Sequence, residues 1–572
     1  MENKKLAFGI DLGTTNSAIS TVVRGVKPEI IDLKDGDILP SCVMWMGGDN
    51  FIVGKEAYRN YGASNVAKSF KRLMGSNETV TLEYNNEKRV FTPEELSSLV
   101  LKELAKKAEE AYGKVEDVVI TVPAYFTDDQ VAATRKAGEM AGFNVLSTFR
   151  EPVASALVYI SDYEENLESN SERLMVYDLG GGTFDVSIVD VQKTVDYSDM
   201  DAIYGLDPKP GEDSSGITLN VRGKYGDMHL GGDDIDNELA EIFKEKIDLL
   251  GYDSSKLDDY SKRRLQYLVE EVKKSKRIYK QTVGSGLKLT DGTELPDSDE
   301  LCLTIYDVEN ATRKIFEKTV CSEAISIIED ATRGKLDGIL LIGGSTKSQF
   351  IEKFLREKYP EVPINNSLNP DKAVCLGAGL QAHRLVNGGG NITLNDVLSL
   401  PIGILAEDRI SKIIPKNEKV PVTKQKTFRT TEDDQEFINI DVYQGISIFP
   451  EDNHYIGTLT IDNIPKGKAG ELPIYVKLAV NVDGVLKCSV SIGDITRSAE
   501  LSNINKGSID TSKNTPKPGK KEERMLAAIK RQIAGNPKGL ELLNQYEQGS
   551  IDIRTLYNEV NKLRKDIEIG GK

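Results

Sequence analysis

The stretch FGIDLGTTNSAIS, residues 8–20, decides how the rest of the chain is interpreted. It is a strand-like run that ends in a turn, where the carboxylate of Asp11 stands among glycine and threonine. Free backbone N–H groups in such a turn suit an anion such as phosphate, whereas a bare aspartate repels one unless a cation lies between them. Taken alone, the stretch favours a surface hairpin turn, because Asp, Gly, Thr and Asn are common turn formers.

A second copy of the pattern changes this interpretation. Residues 177–187 read YDLGGGTFDVS, which is again a strand followed by an aspartate, Asp178, then glycines and a threonine. Two such hairpins, 167 residues apart, predict a duplicated lobe whose loops face each other and hold one polyphosphate from both sides. Asp11 and Asp178 would then hold Mg²⁺ through water, because Mg²⁺ prefers oxygen ligands and keeps much of its hydration shell.

Two further glycine-rich elements strengthen the nucleotide hypothesis. GILLIGGSTKSQ at 338–349 follows an apolar strand and opens a helix, and NPDKAVCLGAG stands at 369–379. Each element alone is weak evidence, since glycine turns between strand and helix are ordinary, but their joint order is hard to assign to chance. The pattern G-x-x-x-x-G-K-[ST] is absent, so the chain is not a P-loop enzyme.

Composition excludes several classes of function. Lys+Arg 73 against Asp+Glu 90 gives a net charge of −17, which argues against a nucleic-acid-binding protein. The five cysteines form no C-x-x-C pair, and the three histidines make a His-based metal site or a Ser-His triad improbable. No secretory signal or membrane-spanning run is visible, so we expect a cytoplasmic protein with no membrane partner.

The chain divides by composition. Strands and helices alternate up to about residue 387, strands dominate after a glycine-rich interruption, and a polar Ser/Pro/Gly segment precedes a helical end. The predicted parts are a nucleotide-binding ATPase domain at 1–387, an interdomain linker at 388–398, a β-sandwich at 399–501, a flexible linker at 502–521 and a short helical tail at 522–572.

These motifs together resemble a known family. GIDLGTTNS, VITVPAYF, YDLGGGTFDVSIVD, HLGGDDID, LIGGST and NPDKAVCLGAG are similar to the motifs of the DnaK-type seventy-kilodalton heat-shock chaperones, within the actin-like ATPase superfamily. The β-rich region that begins GILAEDRISKIIPKNEKVPV resembles the peptide-binding β-sandwich of that family. The resemblance implies an α/β actin-like two-lobed ATPase domain, followed by a β-sandwich and a small helical tail.

In the family, a lysine and a glutamate flank the γ-phosphate. SFKRLMG places the lysine at Lys71 and REPVASALVY places the glutamate at Glu151. Lys71 would stabilise charge on the transferred phosphoryl group, and Glu151 would transmit the nucleotide state or help to place water. Without the resemblance, a surface lysine and a helix-start carboxylate are the better interpretations. The other catalytic residues implied are Asp178, Thr183 and Asp185, the last of which would position water or an ion.

The resemblance implies ATP or ADP as the nucleotide, with Mg²⁺ and, as a further candidate ion, K⁺. The residues implied to bind the nucleotide are Asp11, Gly13, Thr14, Thr15, Asn16, Gly180, Gly181, Gly182, Gly231, Gly232, Glu270, Lys273, Lys274, Gly343, Gly344, Ser345, Lys347 and Asp371. Lys276 and Arg277 compete with Lys273 and Lys274 if a turn has been inserted, and a solvated charged helix face is the alternative. Lys347 stands where the family has an arginine that stacks on adenine, and lysine lacks the planar guanidinium.

In the β domain, the resemblance implies an apolar cleft that encloses a client side chain while strand edges bond its backbone. The residues implied to line this cleft are Ile404, Phe428, Thr431, Ile438 and Ile440. A plain sandwich core is the alternative. Thr431 stands where the family has a small arch residue, and the opposite arch around Ala406 and Glu407 is one residue shorter.

The function implied is an ATP-dependent chaperone that binds unfolded or extended polypeptide, served by a J-domain co-chaperone and a nucleotide exchange factor. Ser147 and Val131 stand where the family has two signalling arginines, so we expect weak stimulation by a generic J-domain protein. The tail is expected to form a small bundle of short helices rather than a long lid. The rival functions are a nucleotide-regulated scaffold that hardly cycles and a small-molecule kinase on the same fold.

Overall fold

The structure is a computed structural model. It describes residues 5–23, 27–34, 36–163, 171–194, 216–275, 280–284, 286–365, 368–388, 391–395, 397–398, 400–406, 409–481, 486–501, 537–548 and 556. The chain forms two compact units: one contains Met1–Pro401, Ile414–Lys424 and Ala479–Leu486, and the other contains Ile402–Ile413, Gln425–Leu478 and Lys487–Lys572.

The first lobe of the larger unit is built on a mixed sheet with the order β11-β10-β1-β2-β3, and β4 pairs with β2. Its strands, with those of two small antiparallel sheets beside it, are β1 (Phe8–Leu12), β2 (Asn16–Val23), β3 (Lys27–Ile30), β4 (Leu39–Pro40), β5 (Cys42–Trp45), β6 (Phe51–Val53), β7 (Val66–Lys68), β8 (Val80–Tyr84), β9 (Glu87–Phe91), β10 (Asp117–Val122) and β11 (Asn144–Arg150). Its α-helices are Lys55–Arg59, Pro93–Tyr112, Asp128–Ala141 and Glu151–Tyr163.

The second lobe repeats this plan on a sheet with the order β18-β17-β12-β13-β14-β19. Its strands, with a separate two-stranded sheet, are β12 (Ser171–Leu179), β13 (Phe184–Thr194), β14 (Gly216–Asp227), β15 (Lys280–Thr282), β16 (Cys302–Thr304), β17 (Gly338–Ile342), β18 (Ile364–Asn365) and β19 (Asn391–Asn395). Its α-helices are Gly232–Leu249, Asp259–Lys274, Ile305–Thr319, Ser322–Thr332 and Gln349–Lys358, and the later helix Ala373–Asn387 belongs to the first lobe.

Sequence explains these elements locally. The strand β10 reads DVVITV and is buried at every position, as expected of a central parallel strand that is covered on both faces. The helix Pro93–Tyr112 begins at a capping box between Thr92 and Glu95, with proline in its first turn. Each lobe has its own apolar core, one gathered around β1 and β10 and the other around β12, β13 and β17.

The helix Ala373–Asn387 packs closely against both the first sheet and the helix Glu151–Tyr163. A Cβ on Gly377 would lie 2.0 Å from the carbonyl oxygen of Ala154, and one on Gly9 would lie 2.0 Å from the backbone nitrogen of Gly379. Only glycine permits backbones to approach so closely. The fourth glycine-rich element of the sequence therefore packs against β1, the strand that leads into the Asp11 loop.

The segment predicted as an interdomain linker contains a strand. Asn391–Asn395 pairs in parallel with residues 216–220 of β14, at the edge of the second sheet. The backbone of ITLN thus finds hydrogen-bond partners within the larger unit.

The β-rich region contains two four-stranded sheets, with orders β21-β20-β23-β24 and β22-β25-β26-β27. Its strands are β20 (Ile402–Ala406), β21 (Arg409–Ile414), β22 (Val422–Arg429), β23 (Phe437–Gln444), β24 (His454–Asp462), β25 (Pro473–Val480), β26 (Leu486–Ile492) and β27 (Ile495–Glu500). Residues alternate between buried and less buried along β25 and β26, as in the inner faces of a sandwich.

One helix of the predicted tail is described, Pro537–Glu547, and it begins at a proline, which is favoured at the first position of a helix. Apart from residues 548 and 556, the rest of the predicted tail lies outside the described residues, as does the linker at 502–521. Among the helices that the structure describes, none combines the length and apolarity needed to cross a membrane.

Candidate functional site

The two Asp-Gly-Thr loops face each other, as the repeated pattern predicts. The first loop joins β1 to β2 and the second joins β12 to β13, both as antiparallel hairpins. A Cβ on Gly181 would lie 1.8 Å from Thr15 Oγ1, and one on Gly182 would lie 2.6 Å from Thr14 Cγ2. Any larger residue would therefore force the loops apart.

A cleft opens between these loops and collects most of the predicted site residues. The predicted residues that line it are Asp11, Gly13, Thr14, Thr15, Asn16, Lys71, Glu151, Asp178, Gly180, Gly181, Thr183, Lys273, Gly343, Gly344, Ser345 and Asp371. Three apolar neighbours that the sequence did not single out complete the wall: Ile342, Pro370 and Val374. Residues from distant parts of both lobes thus meet around one concave surface.

Lys71 and Glu151 form a buried ion pair at this cleft. Lys71 Nζ lies 3.1 Å from Glu151 Oε1, and neither side chain is more than 10% exposed. The lysine comes from the short helix Phe70–Leu73 and the glutamate from the first position of Glu151–Tyr163. In so little water a positive charge is screened weakly, so it acts strongly on charge that develops nearby.

Asp178 is buried and Asp11 is half-buried, and both lie among other acids. Burial, followed by the charge of Glu151, raises the pKa of Asp11 to about 7 and raises the pKa of Asp178 well above its usual value. Thr121 Oγ1 donates a 3.0 Å hydrogen bond to Asp11 Oδ1. Carboxylates so crowded are stabilised by a cation between them.

The donor set fits a hydrated magnesium ion better than a directly bound metal. Among the described residues, no group of at least three His, Cys, Asp or Glu side chains could hold a metal ion by itself. Thr15 Oγ1 and Asp185 Oδ1 are buried and find no hydrogen-bond partner within the described part of the chain. Buried polar atoms without partners are expected where a ligand or its water completes the site.

Gly231 and Gly232, which are also predicted to bind the nucleotide, contact the second loop. The N–H of Gly232 donates to the carbonyl of Gly180 at 2.9 Å, and Ser345 Oγ donates to the same carbonyl at 2.8 Å. Lys273 Nζ donates to the carbonyl of Gly232 at 2.8 Å. A Cβ on Gly231 would lie 2.7 Å from the backbone of Gly181, so this pair packs against the Asp178 loop and does not line the cleft.

Gly343 and Gly344 line the cleft directly after the buried strand β17. Gly343 adopts φ +82°, and a Cβ there would lie 2.6 Å from Asp178 Oδ1. Lys347 pairs with Asp371, and both are predicted to bind the nucleotide. The loop thus brings backbone close to Asp178 without a side chain in the way.

Glu270 and Lys274, predicted to bind the base, have other partners and do not line the cleft. Lys68 Nζ lies 2.7 Å and Lys274 Nζ 2.8 Å from the Glu270 carboxylate, and Lys274 also donates to Tyr58 OH at 2.9 Å. Although burial opposes it, the charges of Lys68 and Lys274 lower the pKa of Glu270 to about 2. These contacts tie the helix Asp259–Lys274 to the first lobe. The competing Lys276 and Arg277 lie outside the described residues.

Three residues near the site were missed from the sequence. Arg150 donates to the carbonyls of Pro123 and Phe126, at 2.9 and 3.3 Å. Lys68 was missed, although it stands three residues before Lys71. Lys224 is buried near Asp185, although it stands two residues from the exposed Arg222 and the period of two in β14 would leave it exposed as well.

Most of the residues predicted to bind peptide in the β region are buried. Ile404, Ile438 and Ile440 are 2%, 5% and 4% exposed, which is what a sandwich core requires. Phe428 is half-buried and Thr431 is exposed. The three isoleucines share one sheet and Phe428 stands on the other, so their role in an open cleft stays a prediction.

Comparison with known proteins agrees with this arrangement. The family model described as Hsp70 protein matches residues 7–197 and 214–567. The chaperone protein DnaK of Thermosipho africanus is 34% identical over 529 residues, covering 89% of this chain and 81% of that protein.

Two further chaperone proteins DnaK match almost the full chain. That of Metamycoplasma hominis is 31% identical over 573 residues, which cover 98% of this chain and 89% of that protein. That of Thermotoga maritima is 32% identical over 591 residues, which cover 99% of this chain and 91% of that protein. On the family match and these relatives, the chain belongs to the Hsp70 family of ATP-dependent chaperones.

Proposed function

We propose that the cleft between the two hairpin loops binds and hydrolyses ATP, and that hydrolysis is coupled to binding and release of unfolded or extended polypeptide. The observation that carries this proposal is the meeting of the Asp11 and Asp178 loops beside the buried ion pair of Lys71 and Glu151. Membership of the Hsp70 family supports it.

The phosphates would be held by the two loops. Backbone N–H groups and the hydroxyls of Thr14, Thr15 and Thr183 suit phosphate oxygens, and the facing glycines leave room for them. Asp11 and Asp178 would hold Mg²⁺ through water. Bound there, Mg²⁺ neutralises negative charge on the phosphate oxygens and so permits them to lie near two carboxylates.

Hydrolysis forms a bond from a water oxygen to the γ-phosphorus and breaks the bond from that phosphorus to the β–γ bridging oxygen, with ADP as the leaving group. Lys71 would stabilise the negative charge carried by the transferred phosphoryl group. Glu151 and Asp185 would orient the water by accepting its hydrogen bonds. K⁺ is proposed only as a further ion at this site.

The nucleoside would lie along residues 343–345 and Asp371. Lys347 offers a point charge without a planar face, so stacking on adenine should be weaker than with arginine. Glu270 and Lys274 hold Lys68 and Tyr58 and do not line the cleft, so in this conformation Lys273 is the residue of that helix that reaches the cleft.

The chaperone cycle follows from this assignment. ATP in the first domain would loosen the polypeptide in the β-sandwich, and hydrolysis would tighten it. A J-domain co-chaperone and a nucleotide exchange factor are the proposed partners, and neither nucleic acid nor a membrane is. The cytoplasmic location and the role of residues 388–398 as an interdomain linker are also proposals.

One experiment tests the proposal. ATP turnover by the full chain is measured with and without an extended, unfolded peptide, with a stably folded protein as the matched control. We expect the unfolded peptide to raise turnover and the folded protein to leave it unchanged. ATP binding without turnover, or turnover indifferent to peptide, would contradict the coupling.

A further inference from the structure

A buried lysine that no motif indicates lies next to the cleft. Lys224 is 2% exposed, and it stands in β14, which pairs antiparallel with β13. In this register Ser187 faces Lys224, and Asp185 faces Gly226. Directly opposed residues of an antiparallel pair project to the same face, as do residues two apart on one strand. Lys224 therefore shares a face with Ser187 and Asp185.

Gly226 leaves space for the Asp185 carboxylate on this face. A Cβ at this position would lie 2.4 Å from Asp185 Oδ1, so a side chain there would displace the carboxylate. Asp185 and Ser187 are each 1% exposed. Asp185 Oδ1 and Ser187 Oγ find no hydrogen-bond partner among the described residues, so the carboxylate keeps acceptor capacity for a ligand or water.

The surroundings of Asp185 have opposing effects on its pKa. Burial and the charge of Glu151 raise the pKa of Asp185, and the charges of Arg150 and Lys224 oppose them. Arg150 is already committed to the carbonyls of Pro123 and Phe126. A buried carboxylate that must stay charged needs a nearby fixed cation, because an isolated buried charge is very costly.

We infer that Lys224 is a positioning residue for ATP hydrolysis: opposite Ser187 and next to the gap left by Gly226, its fixed positive charge stabilises and orients the Asp185 carboxylate, which orients the attacking water. The inference rests on the proposed ATPase function. Lys224 itself touches neither the phosphates nor the water, and no bond is made or broken on it.

The test compares Lys224→Met, Asp185→Asn and the double variant in single-turnover hydrolysis, together with nucleotide affinity and thermal unfolding of the full chain. Lys224→Met keeps the bulk and removes the charge, and we expect it to slow hydrolysis about tenfold or more while the ATP dissociation constant stays within about twofold. Lys224→Arg should restore part of the rate. In the Asp185→Asn background, Lys224→Met should have little further effect, because the carboxylate through which it acts is gone.

A folded Lys224→Met variant that hydrolyses ATP at the unaltered rate would overturn the inference, and so would rate effects that simply multiply in the double variant. If Lys224→Met does not fold, Lys224→Gln provides the same comparison with a neutral polar side chain. Lys246→Met serves as the control, since this lysine pairs with Asp307 at 2.7 Å and does not line the cleft. Absence of hydrolysis by the unaltered chain would instead overturn the proposed function.

Discussion

Replacing Lys71 by alanine removes a buried positive charge from the cleft. Lys71 Nζ lies 3.1 Å from Glu151 Oε1, and the lysine side chain is 4% exposed. In such water-poor sites one positioned donor is worth about 10² to 10³ in rate. We therefore expect Lys71→Ala to slow single-turnover hydrolysis by about 100-fold or more, which corresponds to about 2.7 kcal/mol of transition-state stabilisation.

ATP should still bind to this variant. The substitution leaves the two facing loops and the proposed nucleoside-binding residues 343–345 in place. Because the lost interaction is strongest in the transition state, the rate of hydrolysis should fall far more than the affinity for ATP. We expect the dissociation constant for ATP to change by less than about tenfold.

The assay mixes excess protein with limiting labelled ATP and follows phosphate release, while calorimetry gives the affinity. The matched control is Lys246→Ala, which removes another partly buried lysine from an ion pair, with Asp307 at 2.7 Å. Thermal unfolding of both variants shows whether they are folded. Hydrolysis at the unaltered rate by folded Lys71→Ala would refute the assignment of Lys71.

Three other predictions concern the loops, the lobe contact and the co-chaperone. Gly181→Ala is expected to weaken ATP binding by about tenfold or more, because the added methyl would lie 1.8 Å from Thr15 Oγ1; unchanged affinity by calorimetry would contradict this. Lys68→Ala should lower the thermal midpoint at pH 7. The difference in midpoint between this variant and the unaltered chain should narrow as the pH falls from about 4.5 to about 2. The reason is that Glu270, whose pKa is lowered to about 2, stabilises the fold through its ion pair only while its carboxylate is ionised. A difference that does not vary with pH would count against the ion pair. With Ser147 in place of the family's arginine, a J-domain from an unrelated general chaperone system should stimulate ATP turnover weakly, and robust stimulation at micromolar concentration would contradict this.

Matched controls separate these effects from general damage. Gly457→Ala adds a methyl that would lie 3.6 Å from Leu501 Cδ2, an ordinary contact, so it should leave ATP affinity unchanged. Lys314→Ala removes an exposed partner of Glu238, and exposed pairs contribute little, so its thermal midpoint should differ little from that of the unaltered chain at any pH tested.

Motifs that are short and contiguous could be predicted from the sequence. The loops at Asp11 and Asp178 are each carried by a few neighbouring residues, since a strand, a glycine turn and a carboxylate define one another locally. Their repetition indicated that they face each other, and the structure places them so. The resemblance then identified Lys71 and Glu151, and the structure brings the two together at 3.1 Å.

What tertiary structure decided is which partner each charged side chain has. Glu270 and Lys274 carry the right residue types for a base contact, but Lys68 and Tyr58, about 200 residues earlier in the chain, hold them instead. Nothing in the local pattern around a lysine tells whether its ammonium meets a phosphate, a carboxylate or a tyrosine.

Burial was likewise decided by the fold. Lys224 looks like an exposed strand residue in the sequence, yet pairing of β14 with β13 buries its charge beside Asp185. Ile404, Ile438 and Ile440 are also buried, and their role in a peptide-binding cleft stays a prediction. A strand's two faces follow from its period of two, but which face meets solvent depends on the neighbouring strands and on what packs over them.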